Sequence, residues 1–285
     1  MNTPKILFKY LDHRGLDLLT NRRVLATPPN KLNDPFEFTP IIDDNPTDEE
    51  IWGKISHPDY MRELWEGVGR RESYEIFQQR HLEGKELLTA EHRKLAPEVT
   101  ESYRQEFIES TGAASGLVCF SRRNDGILLW SHYADGHKGF VVGFGVPQLV
   151  NSFGREDGTL VEVVYSETRP NMGSVYSNVE DENIRTAIIR TKSPEWKYEE
   201  EYRLIILREK FRDDENKGKD DRLFWSIKGN ESVVRSVIIG SRCEPEWKSK
   251  LASVLAEPAY QHVEIFEAIP DKKSFAIYIN PAKLR

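Results

Sequence analysis

Hydrophobic and polar positions change period several times along the chain. Residues 6–10 (ILFKY) read as a short opening strand, 15–19 as the start of a brief helix and 22–27 as a second strand. Pro28-Pro29-Asn30 breaks regular structure. Asn33-Asp34-Pro35-Phe36-Glu37 follows as a turn, because Asn and Asp bond their own backbone and Pro fixes the next φ. From 47 to about 110 the chain becomes charged and helical. Thr47 and Glu50 have capping-box spacing, Met61, Leu64, Trp65 and Val68 fall on one helical face, and Tyr103, Phe107 and Ile108 suggest another.

After Gly112 the pattern turns to strands, at 116–121, 139–146, 161–166, 201–207, 233–240, 262–268 and 275–279. Several are continuous apolar runs, as expected of strands covered on both faces. Residues 128–135 read as a short helix, Trp247, Leu251, Val254 and Leu255 as a late amphipathic one, and the charged stretch 211–222 as a mobile loop. The expectation is therefore a single α+β domain over 1–285. Its core would be a mixed, largely antiparallel sheet, with a helical insert over about 47–110 lying outside it.

Composition narrows the classes. At 285 residues the chain can bury a sizeable core, and 38% hydrophobic with 31% charged residues is a folding composition. A net charge of -7 argues against a broad nucleic-acid-wrapping surface but leaves room for a local basic groove. The two cysteines, Cys119 and Cys243, have neither zinc nor disulfide spacing and read as buried thiols in a reducing compartment. No apolar run is long enough to cross a bilayer and the N-terminus lacks a signal-peptide pattern, so no membrane association and a cytoplasmic location are expected.

Three segments carry candidate chemistry. In Trp196-Lys197-Tyr198-Glu199-Glu200-Glu201-Tyr202-Arg203, read as a strand, Glu199, Glu201 and Arg203 share one face and Tyr198, Glu200 and Tyr202 the other. The alternative is a solvated strand end with an ion pair. In Trp130-Ser131-His132-Tyr133, Trp130 and Tyr133 share a helical face and suggest an aromatic platform for a flat ring; the alternative is core filling and a satisfied histidine. The Asn33 to Glu37 turn lies in sequence after Lys9-Tyr10 and needs no function as punctuation. Asp34, Glu37, Glu199 and Glu201 make the acid set of a metal-dependent nuclease or phosphodiesterase, but no HxxxH or DxDxDG spacing supports a metal. P-loop, Rossmann, GxSxG and kinase motifs are all missing from the sequence.

Taken together, Phe8-Lys9-Tyr10, Asn33-Asp34-Pro35-Phe36-Glu37, Cys119-Phe120-Ser121, Trp130-Ser131-His132-Tyr133, His137-Lys138-Gly139-Phe140 and Trp196 to Arg203 resemble the bacterial domain-of-unknown-function family 2971, over about 7–240. In architecture, the order of opening strand, strand 116–121, helix ending in tyrosine, strand 139–146 and late glutamate-bearing strand is similar to the split-sheet core of ADP-ribosyltransferases. That second resemblance implies NAD or a related nucleotide as substrate and a protein or nucleic-acid acceptor, in an effector of bacterial conflict or phage defence. Tyr10 would stand where a histidine binds the nicotinamide ribose, Tyr133 would stack on nicotinamide, and Glu199 or Glu201 would hold the ribose 2′-OH. Glu201 is the first choice of acid, Glu199 the second, and Trp130, His132, Asn33 and Arg203 complete the expected binding set. A non-catalytic nucleotide-sensing module is the remaining alternative.

Overall fold

The computed structural model describes residues 4–152, 158–177, 182–211 and 222–283. It divides into two compact units, one formed by Met1–Asp34, Gly112–Glu167 and Lys192–Arg285, the other by Pro35–Thr111 and Thr168–Thr191. The chain runs through β1 (Ile6–Leu11), α1 (Leu16–Thr20), β2 (Arg23–Ala26), β3 (Ile41–Asp43) and the helices α2 (Asp48–Ile55), α3 (Pro58–Gly67), α4 (Tyr74–Glu83) and α5 (Lys85–Ala114). Next come β4 (Ser115–Ser121), α6 (Ile127–Tyr133), β5 (Phe140–Gly145), α7 (Val146–Ser152), β6 (Gly158–Glu162), β7 (Val164–Tyr165), β8 (Asn171–Ser174) and α8 (Glu182–Arg190). The rest is β9 (Thr191–Lys192), β10 (Glu201–Leu207), β11 (Leu223–Ser226), β12 (Val234–Ile239), α9 (Pro245–Leu255), β13 (Glu264–Pro270) and β14 (Ile277–Pro281).

The first unit holds an eight-stranded sheet in the order β14-β13-β12-β5-β1-β4-β10-β6. Its pairs are antiparallel except β12 with β13. A parallel pair needs a crossover, and α9 supplies it. The fold is thus the expected α+β type with a mixed, mostly antiparallel sheet. Side chains alternate between two apolar layers. Leu7, Val118, Phe120, Val142, Phe144, Leu204, Ile206, Val237 and Ile239 belong to one cluster. Tyr10, Val141 and Ile238 pack with Leu129 and Trp130 of α6 in another. Being covered on both faces explains why β5 (FVVGFG) is buried at all six positions.

The sheet nearly divides between β1 and β4. β1 pairs with β5 along six residues but meets β4 at the single pair Phe8 and Ser121. Beyond it, the Lys9 ammonium donates to the Cys119 carbonyl at 3.2 Å, where continued β1 pairing would otherwise lie. The structure therefore holds one sheet rather than the split sheets that the ADP-ribosyltransferase resemblance implies, with β4-β10-β6 joined to β1 at that one pair.

In the second unit the Thr47 capping box forms as expected, with Glu50 reaching back to the Thr47 backbone. The unit supplies none of the eight strands and contains a two-stranded parallel pair, β3 with β8. The expected face on α3 is only partly buried: Met61 is covered, whereas Leu64 and, just past the helix end at Gly67, Val68 are exposed. The strand expected at 161–166 breaks into β6 and β7 around buried Val163. Cys119 and Cys243 are free and half-buried rather than buried. Of the stretch expected as a mobile loop, residues 212–221 lie outside the described residues, while Phe211 is part of the core.

Close backbone approach fixes the turn after α6. Asp135, Gly136 and His137 have consecutive positive φ angles of 47°, 57° and 71°. The Gly240 N–H bonds the Gly139 carbonyl at 3.0 Å and the Arg242 N–H bonds the His137 carbonyl at 3.0 Å. A Cβ at Gly240 would collide with both carbonyl oxygens, whereas one at Gly53 in α2 would meet nothing. Gly240→Ala is therefore expected to cost about 1–3 kcal/mol in thermal denaturation, and Gly53→Ala to be neutral or stabilising. Equal stability of the two variants would contradict this account of the turn.

Candidate active site at the hinge of the sheet

The strand β10 sets the floor of the site. Glu201 and Arg203 share a face by strand period, opposite Ser121 and Cys119 of β4. Glu199 does not reach this face as part of the strand, contrary to the expectation. Ser193 caps a 3-10 helix over Pro194–Glu199, Pro194 fixes its first turn, and Glu200 ends it in the left-handed region at φ 44°. Reversal at Glu200 brings Glu199 back beside Glu201. The Ser121 hydroxyl locks this turn by donating to the Glu199 carbonyl at 2.5 Å.

One buried lysine joins the two acids. Lys192 of β9, 5% exposed, donates to Glu199 Oε2 at 2.6 Å and to Glu201 Oε2 at 2.8 Å. Arg203, wholly buried, grips Glu201 from the other side, Nε to Oε1 at 2.8 Å and Nη2 to Oε2 at 3.2 Å. The Glu201 N–H donates to the Tyr165 hydroxyl at 2.9 Å. Burial by itself pushes the Glu201 carboxyl up, but the Arg203 guanidinium and then the Lys192 ammonium outweigh it and hold the group at about 2. Burial pushes the Lys9 ammonium down from the ordinary lysine range, an effect partly offset by attraction from Glu201.

The remaining Glu199 oxygen faces the helix end. Tyr133, the last residue of α6, donates its hydroxyl to Glu199 Oε1 at 2.6 Å. Burial and the adjacent carboxylate both push the phenol pKa far up, so Tyr133 remains a neutral donor. Asn33 reaches the same hydroxyl at 3.4 Å. A row of rings runs outward from here: His132 is exposed, 6.1 Å from Tyr133 and 6.5 Å from Tyr198, and Tyr198 lies 6.1 Å from Trp196. The Lys192 ammonium sits 4.9 Å from the Trp196 ring.

Other expected residues serve the scaffold. Trp130 is fully buried, donates to the Asn124 carbonyl at 2.9 Å and stacks on His137, so it offers no open platform. Tyr10 is buried edge-on against Trp130 with its hydroxyl on the Arg123 carbonyl at 3.0 Å. Arg203 is committed to Glu201. These three therefore present no free surface to a ligand, while His132, Asn33 and Tyr133 remain at least partly open. Asp34 closes a segment of this unit and Glu37 belongs to the other.

The carboxylates are poorly suited to a metal, because Lys192 and Arg203 already occupy them with positive charge. Among the described residues, no group of three His, Cys, Asp or Glu gathers as a ligand set. Lys192 and Tyr165 were missed by sequence reading. Lys192 immediately precedes the Ser-Pro start of the 3-10 helix, and that capping signal was the only local hint.

The comparisons with known proteins point to this same stretch. Residues 129–204 match the family model described as protein of unknown function (DUF2971). The DUF2971 match begins on α6 and ends on β10, so it contains Tyr133, Lys192, Glu199, Glu201 and Arg203 and is narrower than the span expected from the motifs. No curated protein and no solved structure matches the chain. Among the described residues, no helix is long and apolar enough to cross a membrane.

The ion pairs imply a measurable pH dependence. Glu201 titrates at about 2 when folded against an ordinary 4.5, so its contribution is complete above the unfolded value and is lost as pH falls toward 2. That contribution is roughly 3 kcal/mol. Urea unfolding followed from about pH 6 to about pH 3 should show this loss, and Glu201→Gln should remove the Glu201 component while lowering stability at neutral pH. Arg203→Met, which strands buried Glu201 without its main partner, should cost about 3–5 kcal/mol. A Glu201→Gln profile identical to wild type would refute the assignment.

Proposed function

We propose that this protein cleaves the glycosidic bond of NAD or a closely related nicotinamide dinucleotide and transfers the ADP-ribosyl group to a macromolecular acceptor. The observation that carries the reading is the 2.6 Å bond between Tyr133 and Glu199 at the hinge of the sheet. It joins a half-buried aromatic ring to a carboxylate already ordered by Lys192, so the negative charge needs no reorganisation when positive charge develops.

The nicotinamide ring of the substrate is a flat cation, and the Tyr133 and His132 rings provide faces that attract one. In the reaction the bond between the ribose anomeric carbon and the ring nitrogen breaks, and its electron pair leaves with neutral nicotinamide. The ribose becomes oxocarbenium-like. Glu199 opposes that charge and accepts a hydrogen bond from the ribose 2′-OH, a role that requires the Tyr133 hydroxyl to yield part of its hold. The acceptor nucleophile then bonds the anomeric carbon and loses its proton. Glu201, saturated by Arg203 and Lys192, is a positioning residue here, which exchanges the order of the two acids expected from sequence.

Nicotinamide release from NAD, followed chromatographically without added metal, tests the reading. Glu199→Gln leaves Lys192 paired with Glu201, so the fold should survive while release falls roughly 10²-fold or more. Tyr133→Ala, which removes the ring held against nicotinamide, should also slow release. Full activity of Glu199→Gln, a strict need for Mg²⁺ or Mn²⁺, or NAD-induced stabilisation without turnover would each overturn the transferase assignment.

A further inference from the structure

A pocket of about 270 Å³ lies in the same unit, lined by Arg123, Asp125, Ile127, Leu128, Tyr198 and Phe275 among others. That is near the lower end for small-ligand sites, roughly 300 Å³. Two of its lining residues are tied to the candidate active site. Tyr198 directly precedes Glu199, and the Arg123 N–H donates to the Ser121 hydroxyl, which in turn holds the Glu199 carbonyl.

The lip of this pocket is the turn between β13 and β14. The Asp271 carboxylate accepts from the Lys273 and Ser274 N–H groups, both at 2.6 Å, and the Asp271 N–H closes the turn on the Ala276 carbonyl at 2.9 Å. A turn fixed in this way leaves Phe275 101% exposed, with Lys272 and Lys273 exposed beside it. A large aromatic ring left wholly in water does nothing for the core, and ring plus lysines is the pairing that stacks a base and meets its phosphates. Within the pocket, half-buried Arg123 and Asp125, 3.0 Å apart, add donors and acceptors for a polar ring edge. A neutral peptide would satisfy the apolar wall but gives no reason for two adjacent lysines.

We propose that this pocket receives a base of a single-stranded nucleic acid, stacked by Phe275 and Tyr198, with Lys272 and Lys273 meeting the backbone phosphates. The contact is local, in keeping with a chain of net charge -7. Under the transferase reading, on which this step alone rests, the bound base is the acceptor.

Fluorescence anisotropy of a labelled single strand of about 12 nucleotides, with the whole protein and no NAD, tests binding by itself. Saturable binding is expected, weakening steeply with salt and about 10-fold in Phe275→Ala. The double change Lys272→Gln, Lys273→Gln should weaken it and flatten the salt dependence. Phe275 is fully exposed, so its variant should fold normally. No binding, equal affinity of Phe275→Ala and wild type, displacement by polyphosphate as effective as by unlabelled strand, or preference for an acidic peptide would overturn the proposal. Nicotinamide release measured without any strand reports on Glu199 separately, so failure of one idea is not failure of the other.

Discussion

The Lys192 ammonium, buried between two carboxylates, is the constraint on which the site depends. Without it Glu199 and Glu201 would be two like charges held together in a poorly solvated space, with Arg203 opposing only Glu201. With it, β9, the 3-10 helix and β10 are tied by contacts of 2.6 and 2.8 Å. Removing two acids and two cations from water is expensive, and apolar residues of similar size often hold a core together as well or better. A buried network of this kind beside a partly open tyrosine is therefore a functional-site candidate on physical grounds.

The same geometry divides the work between the acids. Glu201 has both oxygens occupied by cations and its backbone N–H on Tyr165, so it orders the site. Glu199 has one oxygen on Lys192 and the other on a phenol that is a hydrogen-bond donor rather than a charge. A phenol can be displaced by a substrate hydroxyl at modest cost, whereas a buried guanidinium cannot leave its carboxylate without severe penalty. Ser121, which makes the single β1–β4 pair with Phe8, also holds the Glu199 carbonyl, so this exchangeable contact lies beside the narrowest junction of the sheet.

Much of the sheet was legible in the sequence because its strands are buried on both faces and write continuous apolar runs, as at 139–146. The capping box at Thr47 was legible because it is a purely local exchange of two hydrogen bonds. Short elements such as β3, β8 and β9 left no period to detect, and a second unit assembled from two separate stretches leaves no linker signature. At the site, only the second resemblance grouped Tyr133 with Glu199, and nothing gave the route: a left-handed Glu200 delivers Glu199, and positive φ at a residue with a side chain is not written in composition. Trp130 and Tyr10 show the opposite failure, since ring chemistry alone does not separate a ligand platform from a core layer.

The proposed chemistry places the nicotinamide ring against Tyr133 and leaves the buried Lys192 and Arg203 network unchanged. Calorimetric titration of NAD into the wild-type protein and into Tyr133→Ala, with thermal melts of both, addresses that placement most directly. A saturable heat with wild type, weakened about tenfold or more by loss of the ring in a protein that still melts cooperatively, is the result this account predicts. No heat with wild type, or the same affinity in both proteins, would contradict it.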